Sequence, residues 1–347
     1  MDEMTAALKK ELHLRKNEAL LPVQTIYFGG GTPSMLTETA VSELIAEVKS
    51  QFDVSTNPEI TLEANPDDLT PPYLAAIKRA GINRLSIGVQ SFHDQELKLM
   101  NRAHNGKQAI QSVLWAQEIF ENVSLDLLYG TPHTTLADWK KNLEIALRLN
   151  VPHISSYALT LEPKTALEHF VKKGVVSLLD EKDVEEQFLY LVDTLTANGY
   201  AHYELSSFGK SGYHSKNNTA YWKGKPYLGI GPAAHSFNGK RKRSWNLSNN
   251  AKYMKSIKEG ILPSHHENLK KHEVFNEYLM TGLRASWGVS LEKINQSFGS
   301  QYSDYLEKQA EKHIIRQRLY WDGDTLKVSK SSKLLTDGIA SDLFMLK

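Results

Sequence analysis

The sequence predicts an α/β chain: an incomplete parallel (β/α) barrel over residues 1–210, a connecting region over 211–265 and a small, mostly helical, winged-helix-like domain over 266–347. Three observations predict it. Short β-branched or apolar runs alternate with amphipathic helical stretches at intervals of roughly thirty residues, the rhythm of serial βα units. That alternation stops after two stretches rich in Gly, Ser, Asn, Lys and Arg, at 209–225 and 238–250. Beyond them the pattern becomes three helices, a hairpin and a last helix.

Taken in order, the chain opens on a helix. Met4, Leu8 and Leu12 form an i, i+4 stripe with no strand before it. Either this helix is cut off from a preceding strand, leaving the next strand at an open edge, or it is an N-terminal helix packed on the sheet. Strands follow at 25–28, 59–63, 84–89, 124–129, 153–159 and 201–205, and helices between them at 38–51, 72–80, 108–119 and 137–149. Crossovers of this length imply a parallel sheet with right-handed connections. Helices are then expected at 272–283, 291–298 and 302–314. Strands at 319–321 and 325–328 flank an Asp322-Gly323 turn.

Composition removes whole classes of function. Lys plus Arg number 41 and Asp plus Glu 40, a net charge of +1, so no general basic field exists to attract nucleic acid. No apolar run is long enough for a spanning helix and the charged first twenty residues carry no signal segment, which points to a cytoplasmic protein. The chain contains no cysteine, which excludes disulfides, thiolate metal sites and a cysteine nucleophile from its own residues.

Ligands of parallel α/β folds bind where the strands end. Here the first strand runs into Gly29-Gly30-Gly31-Thr32, and the next three end near Glu63, Gln90 and Asp126. Three successive glycines make either a tight βα turn or a cradle of bare backbone groups around a ligand. Carboxylates at neighbouring strand ends need a shared polar partner, since burying them alone is costly.

These residues carry a resemblance. GGGTPS at 29–34, EANPD at 63–67, NRLSIGVQSF at 83–92, NRAH at 101–104, DLLYGTP at 126–132, LTLEPKT at 159–165 and YELSSF at 203–208 resemble, in order and spacing, the radical S-adenosylmethionine proteins of the oxygen-independent coproporphyrinogen III oxidase group. Within that group the similarity is to the haem-chaperone branch. It extends through NTAYWKGKPYLGIGPAAHSF at 218–237 and LTDG at 335–338, covering essentially the whole chain. The resemblance implies that Gly29, Gly30, Gly31, Thr32, Glu63, Gln90, Arg102 and Asp126 hold S-adenosylmethionine. It also implies a [4Fe–4S] cluster on a CxxxCxxC loop, for which this chain has no Cys ligands; no radical chemistry and no catalytic residue are expected of it as written.

The haem-chaperone branch carries an HNxxYW segment, and Asn217 here stands where the resemblance expects His. An amide is a poor iron ligand, so His214, Tyr221 and His235 are the candidate axial ligands, with Tyr221 and Trp222 supplying ring surface. The Lys240-Arg241-Lys242-Arg243 run either pairs with propionates or forms a solvated loop. Two motifs are set aside. Gly229-Ile230-Gly231-Pro232-Ala233-Ala234 matches GxGxxA but holds a proline and lacks a proper preceding strand, and His265-His266-Glu267 reads as a polar loop. Three functions remain: a chaperone that binds haem and passes it to acceptor haemoproteins, a porphyrin-pathway radical enzyme of the oxidase type, and an unrelated barrel enzyme using Glu63 and Asp126 for acid–base work.

Overall fold

A computed structural model of the chain describes residues 2–19, 21–161, 163 and 166–346. Glu162, Lys164 and Thr165 of the LTLEPKT segment lie outside the described residues.

Seven strands form one open sheet. They are β1 (Val23–Phe28), β2 (Val54–Ala64), β3 (Arg84–Gln90), β4 (Asn122–Tyr129), β5 (His153–Ala158), β6 (Ala201–Glu204) and β7 (Ser207–Gly209), in the order β1-β2-β3-β4-β5-β7-β6. The pairs from β2 through β5 are parallel, and β1 stands at one edge, as the sequence predicts. The other end differs from expectation. The run at 201–205 does not join as a further parallel strand; β7 folds back between it and β5, and both its pairings are antiparallel. A tight turn makes this possible, with the Ser206 amide donating to Glu204 Oε2 at 3.1 Å.

The central strands obey a period of two that separates core from site. Ile60, Leu62 and Ala64, then Leu85, Ile87 and Val89, then Val123, Leu125 and Leu127 are buried in the core. The intervening positions Thr61 and Glu63, Ser86, Gly88 and Gln90, and Ser124 and Asp126 therefore share the opposite, polar face. The helices behind them have readable ends. Asn105 with Gln108, and Thr135 with Asp138, form capping boxes, and Gly81 closes helix Pro71–Ala80 at a φ of +112°.

Packing divides the chain into two compact units, 27–38 with 59–214, and 1–26 with 39–58 and 215–347. In the second, helix Asp2–Leu14 packs against helix Asn250–Lys258, bringing Met4, Ala7 and Leu8 onto Tyr253 and Ile257. The sequence did not signal that partner. A three-stranded antiparallel sheet follows, β8 (His235–Phe237), β9 (Lys242–Asn246) and β10 (Ser264–Asn268), in the order β10-β9-β8. This corrects two expectations. His265-His266-Glu267 is not a loop but the middle of β10, paired with β9, and Lys242 and Arg243 begin β9. Both strands are polar, β10 is largely exposed and β9 mostly half-buried, and ladder hydrogen bonds hold them, so no apolar alternation announced them.

The C-terminal portion follows the sequence closely. Helices Lys271–Leu283, Leu291–Phe298 and Ser300–Ile315 enclose Phe275, Leu279, Ile294 and Leu306. A small sheet of β11 (Val289–Ser290), β13 (Thr325–Val328) and β12 (Leu319–Asp322) supplies the wing. Gly323, at a φ of +63°, makes its turn.

Candidate functional site

The polar face of the sheet converges on a cavity of about 360 Å³ at the strand ends. Its wall begins where β1 runs into glycine. Gly30 and Gly31 take φ values of +80° and +69°, which side-chain-bearing residues rarely adopt. A Cβ at Gly29 would lie 2.6 Å from the Tyr27 ring and 3.0 Å from Glu63 Oε1, so the backbone passes directly against them. Glu63 is fixed on both oxygens. Tyr27 donates its hydroxyl to Oε1 at 2.7 Å, and the Gly30 amide donates to Oε2 at 3.1 Å.

Neighbouring strands add the remaining charges. Glu63 pairs in register with Ser86 on β3, whose hydroxyl lies 3.2 and 3.1 Å from the two Asp126 carboxylate oxygens on β4. Burial pushes the Asp126 carboxyl up to about 7, against the opposing pull of Arg84 and Ser86. Gln90 ends β3 at a positive φ of 64°, beyond an irregularity in its pairing. At Gly88 a Cβ would lie 2.9 Å from Gln90 Nε2 and 3.3 Å from Arg102 Nη2. The bare backbone lets Arg102 donate to Gly88 O at 3.0 Å, and the same nitrogen reaches Asn65 Oδ1 at 2.8 Å. Burial lowers the Arg102 pKa while Asp67 raises it.

Of the residues expected around S-adenosylmethionine, Gly31, Thr32, Glu63, Gln90, Arg102 and Asp126 line the cavity. Gly29 and Gly30 act on it through Tyr27 and Glu63. Ser34, Asn65, Ser86, Gly88 and Tyr157 also line the cavity; the sequence places Ser34, Asn65 and Tyr157 at strand ends but assigns none of the five to the ligand, and it passes over Ser86 and Gly88. A signal for two of them existed: Ser86 and Gly88 precede Gln90 by four and two positions, hence on the same strand face.

A second cluster of rings lies in the unit that contains residues 215–347. Ser215 caps helix Lys216–Trp222, and Asn217, where the resemblance expects His, accepts from Thr25 Oγ1 at 2.9 Å. Tyr221 is 52% exposed, with its ring 5.0 Å from Tyr227 and perpendicular to Trp222 at 6.2 Å. Tyr227 exchanges two backbone hydrogen bonds of 2.9 Å with Phe237. Arg284 lies 5.3 Å above Trp222, and Arg243 lies 5.7 Å above Phe237 while pairing with Glu277 at 2.8 Å. Two residues before Phe237, and so on the same face of β8, the exposed His235 stacks on Trp245, which neighbours His265; each pair of rings is 6.1 Å apart. Tyr221, Trp222, Tyr227 and Phe237 thus form one strip, with His235 on the strand that ends it.

His214 belongs to the other unit. Its ring stacks on Tyr203 at 4.2 Å, its Nε2 is enclosed without a hydrogen-bond partner, and burial lowers its pKa. In the basic run, Arg241 donates to Leu269 O at 2.6 Å, so both of its arginines are engaged within the fold.

Among the described residues no helix is long and apolar enough to cross a membrane. Residues 5–146 match the Radical SAM superfamily and residues 269–331 the HemN C-terminal domain. The heme chaperone HemW of Bacillus subtilis is 36% identical, over 91% of this chain and 85% of that protein. The heme chaperone HemW of Mycobacterium tuberculosis is 30% identical, over 99% of this chain and 86% of that protein. Among solved structures, the coproporphyrinogen III oxidase HemN of Escherichia coli superposes with a TM-score of 0.83 at 21% identity, covering 99% of this chain and 83% of that one, a likeness of fold. With both domains matched in order and relatives of this identity aligned along most of their length, the chain belongs to the HemW family of radical SAM proteins.

Proposed function

We propose that the protein is a haem chaperone, which holds haem against the ring strip of Trp222, Tyr221, Tyr227 and Phe237, passes it to acceptor haemoproteins, and takes S-adenosylmethionine in the strand-end cavity. The observation that carries this reading is the strip itself, an open run of rings bordered by Arg243 and Arg284. A porphyrin has two flat apolar faces and an anionic edge. Burial of such faces, at about 25 cal/mol per Å², supplies most of the affinity, and propionates would reach the guanidinium groups of Arg243 and Arg284 in exchange for their present partners Glu277 and Asp337.

For the iron, the geometry favours His235. Its imidazole is exposed beside Trp245, whereas the Tyr221 ring packs on Tyr227 and His214 would have to leave Tyr203. Imidazole is a common axial ligand and an amide is not, which leaves Asn217 outside the coordination sphere.

The donors of the strand-end cavity fit S-adenosylmethionine. Glu63 and Asp126 suit its ammonium and sulfonium charges, Arg102 its carboxylate, and the bare Gly30–Gly31 backbone permits close approach. When bound, the cofactor supplies a sulfonium centre with carbon–sulfur bonds that an electron donor can cleave. The chain's own residues bind and orient it: Tyr27 and the Gly30 amide hold Glu63, and Ser86 holds Asp126. A [4Fe–4S] cluster does not fit this chain's donors, because the family's cluster needs three thiolates and the chain has no cysteine.

Haem titration followed by Soret absorbance tests the reading. The wild type should bind at micromolar concentration. His235→Ala should shift the Soret band and weaken binding by about tenfold, His214→Ala should leave the band in place, and Asn217→His should tighten binding. An unshifted band in His235→Ala removes that ligand, and failure of the wild type to bind at micromolar haem removes the chaperone reading.

A further inference from the structure

Two oddities of the sequence, the opening helix and the GxGxxA segment, meet in one buried network. Glu11 and Arg15, one turn apart on and just beyond helix Asp2–Leu14, are 0% and 2% exposed. Glu11 Oε2 accepts from the Gly231 amide at 2.8 Å and from the Tyr253 hydroxyl at 2.5 Å. Its Oε1 accepts from Asn246 Nδ2 at 2.6 Å and from Arg15 Nη1 at 3.2 Å. Arg15 donates onward to Gly229 O at 2.8 Å and to Ser236 Oγ at 3.1 Å, and its remaining charge pairs with Glu18 at 2.7 Å. Each oxygen of the buried carboxylate is therefore answered, the condition under which such a charge is tolerated inside a protein.

What the network grips is the loop 229–236. Gly229 cannot carry a side chain, since a Cβ there would lie 2.0 Å from His235 O, and Gly231 needs its φ of +110°. Ala233 also takes a positive φ, 58°. A loop wound this tightly and against preference is held by its partners. Those partners act at particular places. Ser236 and Asn246 immediately follow His235 and Trp245, and His235 lies opposite Trp245 in the β8–β9 register. Because strand side chains alternate, anchoring Ser236 and Asn246 toward the helix turns His235 and Trp245 to the other face.

We infer that Glu11 and Arg15 are positioning residues for the haem-binding face: through Ser236, Asn246 and the 229–236 loop they set the orientation in which His235 and Trp245 meet the ligand. This rests on the chaperone reading and adds to it that the first helix of the chain governs iron ligation.

The test compares Glu11→Gln with Ile257→Ala. The second loosens the packing of the same helix, because Ile257 is fully buried against it, but touches none of the hydrogen bonds. Glu11→Gln should move the ring resonances of His235 in the haem-free protein, shift the Soret band of the haem-loaded protein and weaken haem by on the order of tenfold. Ile257→Ala should lower the melting temperature and leave the His235 resonances and the Soret position as in wild type. If Glu11→Gln does not yield folded protein, Tyr253→Phe, which removes one hydroxyl from the carboxylate, should give smaller shifts in the same direction. Loss of haem affinity in step with melting temperature in both variants overturns the inference, as does an unmoved His235 resonance in the Glu11 variant. Moved His235 resonances in a protein whose wild type binds no haem would uphold the link between Glu11 and the loop and overturn the chaperone reading instead.

Discussion

The strand-end cavity and the ring strip recognise opposite kinds of chemistry. In the cavity, the charged groups are held by other polar groups: Glu63 by Tyr27 and Gly30, Asp126 by Ser86, and Arg102 by Asn65 and the Gly88 carbonyl. Its shape is set before any ligand arrives, and it reads charge at fixed points. The strip is built from rings touching rings, with Tyr221 half open to solvent, and it reads flat apolar area. A preorganised polar site should respond sharply to changes of charge and pH. An apolar strip should respond to lost area, ring by ring.

The largest contrast is expected from glycine. Gly229→Ala places a Cβ 2.0 Å from a backbone oxygen, while Gly88→Ala places one 2.9 Å from the mobile end of Gln90. The first should cost upward of about 4 kcal/mol and disrupt the loop before β8, and the second about 1 kcal/mol. Chemical denaturation of both variants measures the difference; equal costs would mean that the 229–236 loop is free to relax.

Charge comes next. Burial raises Asp126 to about 7 from 3.8, so the folded protein holds a proton there that the unfolded chain has released. The stability given by the neutral form is complete below pH 4 and is lost as pH rises through 7. Asp126→Asn should therefore stabilise the protein more at pH 8 than at pH 5, by up to about 3 kcal/mol, since roughly two pKa units of 1.36 kcal/mol each fall between pH 5 and 7. A cationic ligand favours the ionised carboxylate, so wild-type affinity for S-adenosylmethionine should rise between pH 6 and pH 8, and calorimetry in Asp126→Asn should show that rise abolished. Haem affinity should not change in Asp126→Asn.

The smallest effects belong to single rings. Tyr221→Ala or Trp222→Ala should each weaken haem by about 1–2 kcal/mol, roughly five- to thirtyfold, without altering S-adenosylmethionine binding. If either variant abolishes haem outright, one specific contact outweighs the apolar area.

How much of this was legible follows the same division. The cavity could be read because βα phasing puts strand ends in one place: Glu63, Gln90 and Asp126 sit at β2, β3 and β4, and period two on β3 already contained Ser86. The helical C-terminal domain was legible from its apolar spacing and the Asp322-Gly323 turn. The β8–β10 sheet was not, because His265, His266 and Glu267 form an exposed, polar edge strand that ladder bonds hold in place. Nor was the burial of Glu11 and Arg15. An i, i+4 acid–base pair on a short helix looks like a solvated face, and here its partners come from more than two hundred residues away. A separation of 192 residues likewise hid the pairing of Asn217 with Thr25.

The central claim is that the two regions bind different ligands by different physics. The most direct test is a paired titration of Asp126→Asn and of the double variant Tyr221→Ala/Trp222→Ala, using haem absorbance and S-adenosylmethionine calorimetry on the same preparations. The account predicts a crossed result: the first variant loses S-adenosylmethionine affinity and keeps that for haem, and the second does the reverse. Loss of haem binding in Asp126→Asn, with the strip variant unaffected, would contradict it.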